Sequence, residues 1–392
     1  MHPSRSTPPL PPQLFFSTPE QRLALARERF FEEGVRPSGL VGESVIQSWS
    51  RCMQAHRAPG EAVSFDPVTP SRVHSALARS RLLIESAASE LSQLESTLAG
   101  TSCTVILTDP DGVVVHVAQP SSRSDEVLLP LAGRVGVNLS EEQIGTNAPG
   151  VSARTGEASV VLGGEHYFGC MRVVHCAAAP IRDVHGHVAG VLDVSVESRP
   201  FGFDAAAVVG MHATAIENRL LRAQSAEHIV VHLQTAPGLL GTPMEGLVGI
   251  APDGRAAWIN GAAARLLGIA GPDAVRQAAD LLGLDMRALA ALTRRPEPSL
   301  QRLPSGLNVW LIARMQARDG AAHVYRLGTA ASGASRATSS ADAVTLRDSD
   351  RHLIERTVAA CNGNVARAAR TLGVSRGLVY RRLRQARAEA AD

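Results

Sequence analysis

Apolar side chains recur at helical spacing up to residue 99. In ESVIQSWSRCMQAH (43–56), Val45, Trp49 and Met53 fall at i, i+4 and i+8, flanked by Ile46 and Cys52. This spacing predicts an amphipathic helix with Trp49 as its packing anchor. Ser44 and Gln47 have the spacing of a capping box at its start. A long helical stretch, 70–99, follows, carrying Val73, Leu77, Leu83, Ile84, Ala88, Leu91, Leu94 and Leu98. At residue 103 the period changes. CTVILTDPDGVVVHVA (103–118) is two β-rich runs around Asp109-Pro110-Asp111-Gly112, which predicts a hairpin. The same order of strand, Asp-containing turn with Gly, and strand recurs at 175–196 and at 247–260. Three hairpins of one style predict two antiparallel-sheet domains.

Between the first two hairpins, Ser140 and Gln143 have capping-box spacing at the start of a short helix. Residues 204–226 predict a long helix joining the two sheet domains, a connection that permits coupling between them. Alternation over 301–327 suggests the later strands of the second domain. Residues 329–345 are rich in Gly, Ala, Ser and Thr without apolar period and read as a linker. The Pro-rich residues 1–19 read as a flexible arm, with too few apolar residues for a signal-peptide core.

The C-terminal segment changes the picture most. Residues 350–387 hold nine Arg against Asp350 and Glu355, a net charge of +7 in a chain that totals +2. Three helices can be read in it. The first, about 350–361, places Leu353, Ile354, Val358 and Cys361 on one face and stops at Asn362-Gly363. Asn364 caps the second, with Val365, Ala368, Ala369 and Leu372 inward, and Ser375 caps the third, with Val379, Leu383 and Ala386 inward. Ala369-x3-Gly373-x5-Val379 is the spacing of a helix-turn-helix: the small Ala permits close approach, the Gly the turn, and the Val seats the last helix. Arg376 and Tyr380 are therefore assigned to base edges or nearby phosphates, and Arg381 and Arg384 to phosphates or bases. Helix N-termini at Asn364 and Ser375 can take phosphates through backbone N–H groups. A solvated basic face is the plain alternative, and the turn spacing favours DNA.

Composition narrows the remaining classes. Hydrophobic residues are 45%, charged residues 19% and aromatics 4%, which argues against a mainly disordered or fibrous chain. The 392 residues allow about two to four domains. Every one of the 39 basic residues is Arg. A chain without lysine has no phosphate-binding loop ending in Gly-Lys-Ser/Thr, no lysine Schiff base and no kinase strand lysine. The five cysteines, Cys52, Cys103, Cys170, Cys176 and Cys361, are scattered and fit a reduced, cytoplasmic setting. No run approaches the ~18 apolar residues of a membrane span, so no membrane partner is expected.

The stretch CNGNVARAARTLGVSRGLVYRRLRQ resembles the Fis-type helix-turn-helix of sigma-54-dependent activators. SVIQSWSRC, EEQIGTNAPG, HCAAAPIRD, GVLDVSVESRPF and AIENRLLRA resemble the N-terminal half of acetoin-catabolism-regulator-type activators, a region that includes a GAF sensor domain. EGLVGIAPDGRAAWINGAAARLLGI, with Asp253-Gly254 and Asn260, is similar to the opening of a PAS domain. The resemblance implies a multidomain α+β chain: GAF-like and PAS-like antiparallel-sheet sensor domains joined by helices, with an all-α Fis-type helix-turn-helix at the C-terminus. Its expected parts are an arm (1–19), a helical region (20–99), a GAF-like domain (100–203), a connecting helix (204–227), a PAS-like domain (228–328), a linker (329–345) and the DNA-binding domain (346–392). Members of that family carry a central AAA+ ATPase where this chain has only the linker, and often a Thr where Leu378 stands.

A GAF domain implies a small-molecule pocket between sheet and helices. The candidates facing it are Thr146 and Asn147 after the capped helix, His166 and Tyr167 in a mobile-looking GGEHYFG segment, and Arg172 and Cys176 on the strand. Asn147 also suits backbone bonding, and Cys176 also suits apolar packing. Cys170-x5-Cys176 lacks the tight spacing of zinc sites, so no metal and no cofactor is expected. The expected function is a DNA-binding transcriptional regulator that couples a small-molecule or redox signal to DNA without ATP-driven remodelling of polymerase. The expected partners are duplex DNA, a second copy in a homodimer, an unidentified effector, and RNA polymerase or a full-length related activator. Two other classes compete: a nucleoid-type architectural DNA binder, and a GAF-fold thiol redox enzyme using Cys170 or Cys176.

Overall fold

The structure is a computed structural model describing residues 18–118, 126–269 and 276–315, together with Val365. The chain divides into two compact units, Met1–Arg326 and Leu327–Asp392, and every element below belongs to the first. The expected C-terminal helices, with Asn364, Ser375, Arg376, Tyr380, Arg381 and Arg384, lie outside the described residues, as does the linker 329–345.

Four helices open the described chain. Helix α1 (Pro19–Arg27) is capped by Thr18 and runs into a π-helical turn, Glu28–Glu32. Helix α2 (Glu43–Gln54) buries Val45, Ile46, Ser48, Trp49 and Cys52. Its buried stripe thus follows Val45, Trp49 and Cys52, and Met53 is 46% exposed rather than inward. Ser44 does not cap this helix. Gly42 occupies the cap position without a side-chain bond, and Gln47 instead donates to Glu43 Oε1 at 2.9 Å. The stretch 70–99 is two helices, α3 (Pro70–Arg79) and α4 (Arg81–Leu98), broken at Ser80, where ψ is 4°. The break lets α3 pack on β2 while α4 lies along α8.

The first sheet has five antiparallel strands, β1 (Thr104–Thr108), β2 (Val114–Ala118), β3 (Ser159–Leu162), β4 (Val174–Arg182) and β5 (Val188–Glu197), in the order β2-β1-β5-β4-β3. Short helices α5 (Leu129–Ala132), α6 (Glu141–Ile144) and α7 (Ala148–Thr155) precede β3. Ser140 stands at the cap position of α6 but makes no side-chain cap bond, so the expected capping box does not form. One face of this sheet packs on α4 and on α8 (Ala205–Ala223) through Leu83, Leu91, Leu94, Val209, Ile216 and Leu220. The other face is covered by α1, α2, α7 and the loops between them, around Trp49, Tyr167, Phe168 and Cys176.

Helix α8 begins where Asp204 Oδ1 accepts from Ala207 N (3.0 Å). It leads into a second five-stranded sheet, β6 (Ile229–Gln234), β7 (Gly246–Ile250), β8 (Ala256–Ile259), β9 (Ser299–Arg302) and β10 (Asn308–Met315), in the order β8-β7-β6-β10-β9. All its described pairs are antiparallel. One face buries α9 (Gly261–Leu267), α10 (Ala278–Leu282) and α11 (Met286–Leu292). The other meets the end of α8, where Trp258 Nε1 donates to Ser225 Oγ (2.9 Å) and Asn260 Nδ2 to Asn218 Oδ1 (2.8 Å). The fold is therefore mixed α+β with antiparallel sheets.

Candidate functional site

The covered face of the first sheet brings together five of the six expected site residues. Thr146, Asn147, His166 and Tyr167 are at most 1% exposed and Cys176 is 4% exposed. Arg172 stands apart. It lies in a 3-10 turn, Gly169–Val173, before β4 rather than on the strand, and its side chain is exposed.

Helix α2 reaches this face because its apolar stripe can be buried only against the sheet. Ser48 Oγ and Thr146 Oγ1 are 2.7 Å apart, and Trp49 Nε1 donates to Glu165 O at 2.7 Å. Arg51 grips Glu141 in a bidentate pair (2.7 Å and 2.7 Å), a geometry that fixes orientation as well as charge. The π-helical turn aims Phe30 and Phe31 at Trp49, with centroids 5.3 and 5.1 Å away, and Phe31 meets Tyr167 at 5.5 Å. Arg27 closes the cluster. Its Nη1 donates to Gly164 O and His166 O (2.8 Å each), and its guanidinium lies 4.6 Å over the Phe31 ring. Burial, with Arg172 nearby, pulls its pKa down to about 10, so it stays charged at neutral pH.

The GGEHYFG segment is consequently packed rather than mobile. Tyr167 OH donates to Arg57 O (2.6 Å), and Gly169 N donates to Pro59 O (2.8 Å). Gly145 is required beside it: φ is +69°, and a Cβ there would lie 2.8 Å from the Phe168 ring. Asn147 caps α7, its Oδ1 accepting from Gly150 N (2.8 Å) and its Nδ2 donating to Gly145 O (2.7 Å).

His166 and Cys176 form the buried polar centre. His166 Nδ1 lies 2.9 Å from Gly163 O, and a carbonyl only accepts, so Nδ1 carries the proton. Nε2 is then the acceptor for the Cys176 thiol, 3.5 Å away. Burial pulls the His166 pKa down to about 4 and pushes the Cys176 thiol up, beyond the usual thiol range. The pair is held as neutral imidazole and neutral thiol, the opposite of the thiolate a nucleophile or redox centre needs. Among the described residues there is no group of three or more His, Cys, Asp or Glu that could hold a metal ion. Nor is any described helix long and apolar enough to cross a membrane.

Sequence reasoning missed the groups beside that pair. Ser195, directly across from Cys176, donates to Asp193 Oδ2 at 2.7 Å, and both residues are buried. A signal was present: in VLDVSVE the residues Asp193, Ser195 and Glu197 alternate with Leu192, Val194 and Val196. Such alternation normally marks a solvent face. Here helices and loops cover it, and Glu197 is satisfied by the backbone N–H groups of Val127, Leu128 and Leu129.

Residues 345–385, the arginine-rich segment, match the family model described as "Bacterial regulatory protein, Fis family". The chain is 31% identical over 202 residues to the propane 2-monooxygenase operon transcriptional activator MimR of Mycolicibacterium smegmatis, covering 50% of this chain and 32% of that one. It is 30% identical over 223 residues to the acetoin catabolism regulatory protein of Cupriavidus necator, covering 55% and 33%. It is 25% identical over 169 residues to the acetoin dehydrogenase operon transcriptional activator AcoR of Bacillus subtilis, covering 43% and 28%. The chain thus spans about a third of the length of these curated relatives. Residues 18–235, more than half of the chain and all of the first sheet with its covering helices, match the model described as "MimR, N-terminal domain", and the chain belongs to that family.

Proposed function

We propose that this chain is a DNA-binding transcriptional regulator in which the N-terminal MimR-type region senses a signal and the Fis-type segment binds DNA. The match at 345–385 carries the reading, because it overlaps residues 350–387, whose nine Arg, two acids and turn spacing point to DNA. Its relatives are named as transcriptional activators. The first sheet is read as a GAF-type sensor and the second as PAS-like, with the boundaries expected from the sequence. The small-molecule site is read as the covered face of the first sheet, with Thr146, His166, Tyr167 and Cys176 inward. Asn147 acts there through the α7 cap, and Arg172 serves at the rim. Asn364, Ser375, Arg376, Tyr380, Arg381 and Arg384 are the proposed DNA contacts. The protein acts as a homodimer in the cytoplasm, because one trihelical module offers few base contacts and pairs read a two-fold site. RNA polymerase or a full-length related activator is its further partner. A chain without lysine supplies no phosphate-loop ATPase site, so regulation proceeds without ATP-driven remodelling.

Genomic fragments selected on the purified chain test the reading. A shared operator bound at nanomolar protein supports it, and uniform, sequence-independent retention favours an architectural binder instead.

A further inference from the structure

We propose that Asp193 and Thr108 form a recognition pair on the covered face of the first sheet for a small uncharged molecule bearing a hydrogen-bonding carbonyl or hydroxyl oxygen. The inference rests on the sensor reading above and names the chemistry of its site. Asp193 and Thr108 are both 0% exposed, and Asp193 Oδ1 and Thr108 Oγ1 have no hydrogen-bond partner among the described residues. Buried polar atoms are otherwise almost always paired. The two lie on neighbouring strands: Asp193 is opposite Ile106 on β1, and Thr108, two residues on, is opposite Val191. Ile106 and Val191 both belong to the core on this face, so period-two alternation turns Asp193 and Thr108 to the same side. That diagonal is about 7–8 Å, a span one small molecule can bridge.

The surroundings select against charge. Arg27 is engaged by the carbonyls of Gly164, His166 and Tyr167, and Arg51 by Glu141. Glu197 is engaged by three backbone N–H groups. His166 and the thiols of Cys176 and Cys52 are held neutral by burial. No cation pairs with Asp193 among the described residues, and burial pushes its carboxyl up to about 7. Below pH 7, with Ser195 donating to Oδ2, the protonated carboxyl presents Oδ1–H as a donor, and the Thr108 hydroxyl can donate or accept. An anion would be stripped of water without a counter-charge on this face, and below pH 7, with Asp193 protonated, so would a cation.

The test uses three probes of one size and shape: acetamide, acetate and acetamidinium. They are titrated into the full chain at about pH 6, where Asp193 is protonated and His166 neutral, while the amide resonances of residues 106–108, 176–178 and 191–195 are followed. Acetamide should shift these signals saturably and neither ion should. Thr108→Val and Asp193→Leu should each weaken acetamide about tenfold, the worth of one neutral hydrogen bond, whereas Asp193→Asn keeps an acceptor for Ser195 and an N–H donor and should bind it as the parent does. The proposal is overturned if acetamide does not saturate, if either ion binds as tightly, if Thr108→Val and Asp193→Leu both bind like the parent chain, or if a buried water alone joins the two atoms and acetamide leaves it in place. Gel shifts on the same proteins separate the two readings. Variants that bind DNA but not acetamide support this pair, whereas a parent chain that binds acetamide but no DNA strikes the regulator reading alone.

Discussion

Two side chains buried at the covered face of the first sheet have opposed proton linkages. Asp193 keeps its proton up to about pH 7 in the folded chain, against an ordinary value of 3.8. Between those values the folded state holds the extra proton, so this contribution to stability falls as pH rises. His166 runs the other way: it is neutral down to about pH 4 when folded, against an ordinary 6.5. Its contribution is complete above about 6.5 and is lost as pH falls toward 4. Over that window the two nearly cancel. Asp193→Asn removes one side, so the variant should lose stability on acidification from pH 6.5 to 4.5 more steeply than the parent. Urea midpoints at the two pH values measure this, and parallel changes in both proteins would refute the linkage. Trp49 is the other decisive residue. It is fully buried among Phe30, Phe31 and Tyr167, so Trp49→Ala should cost about 3–5 kcal/mol by the same assay. A loss below 1 kcal/mol would mean that the cluster collapses around the gap.

The hairpins are where element-level grammar and structure agree most closely. Asp109 Oδ1 accepts from Asp111 N and Val113 N, Asp183 Oδ1 from His185 N and His187 N, and Asp253 Oδ1 from Arg255 N. Each Asp makes the turn locally, which is why all three were legible. Gly112 has φ +81°, and a Cβ there would lie 2.8 Å from Ser140 N. Gly112→Val should therefore destabilise by about 1–3 kcal/mol, read from the thermal midpoint. Asn260 is a joint between elements. Its Oδ1 accepts from Leu247 N and Ala263 N, and its Nδ2 donates to Asn218 Oδ1 and Glu245 O. Asn260→Ala removes a helix cap and strands buried partners, for an expected cost of about 2–4 kcal/mol. An unchanged midpoint would show that the second sheet docks on α8 without it. Less legible were β6, whose central place depends on partners distant in sequence, and the two capping boxes. Ser44 and Ser140 have the right spacing, but Gly42 begins α2 and α6 has only four residues.

At the scale of the whole molecule, the charge is divided: +7 over residues 350–387 and a net acidic remainder. If each subunit neutralises roughly 3–5 phosphates, log K for DNA should fall with log salt at about −0.9 per phosphate. Arg381→Ala and Arg384→Ala should each flatten that slope by about one unit. Fluorescence anisotropy over a salt series checks this, and unchanged slopes would remove both residues from the phosphate contacts. Light scattering, with and without DNA, checks the homodimer, and a monomer in both states would exclude it.

The sequence by itself determined the elements whose causes are local. These are the amphipathic helices, the Asp–Gly turns, the lysine-free composition and the turn spacing within the basic tail. It also marked Thr146, His166, Tyr167 and Cys176 as residues of one region. Only the tertiary structure decided what that region is. An alternating strand that reads as half solvent-facing is covered on both sides, because α1, α2 and α7 close over it. Burial by segments far apart in the chain is what leaves His166 and Cys176 uncharged and pushes the Asp193 carboxyl up to about 7, and no local pattern of residues encodes it.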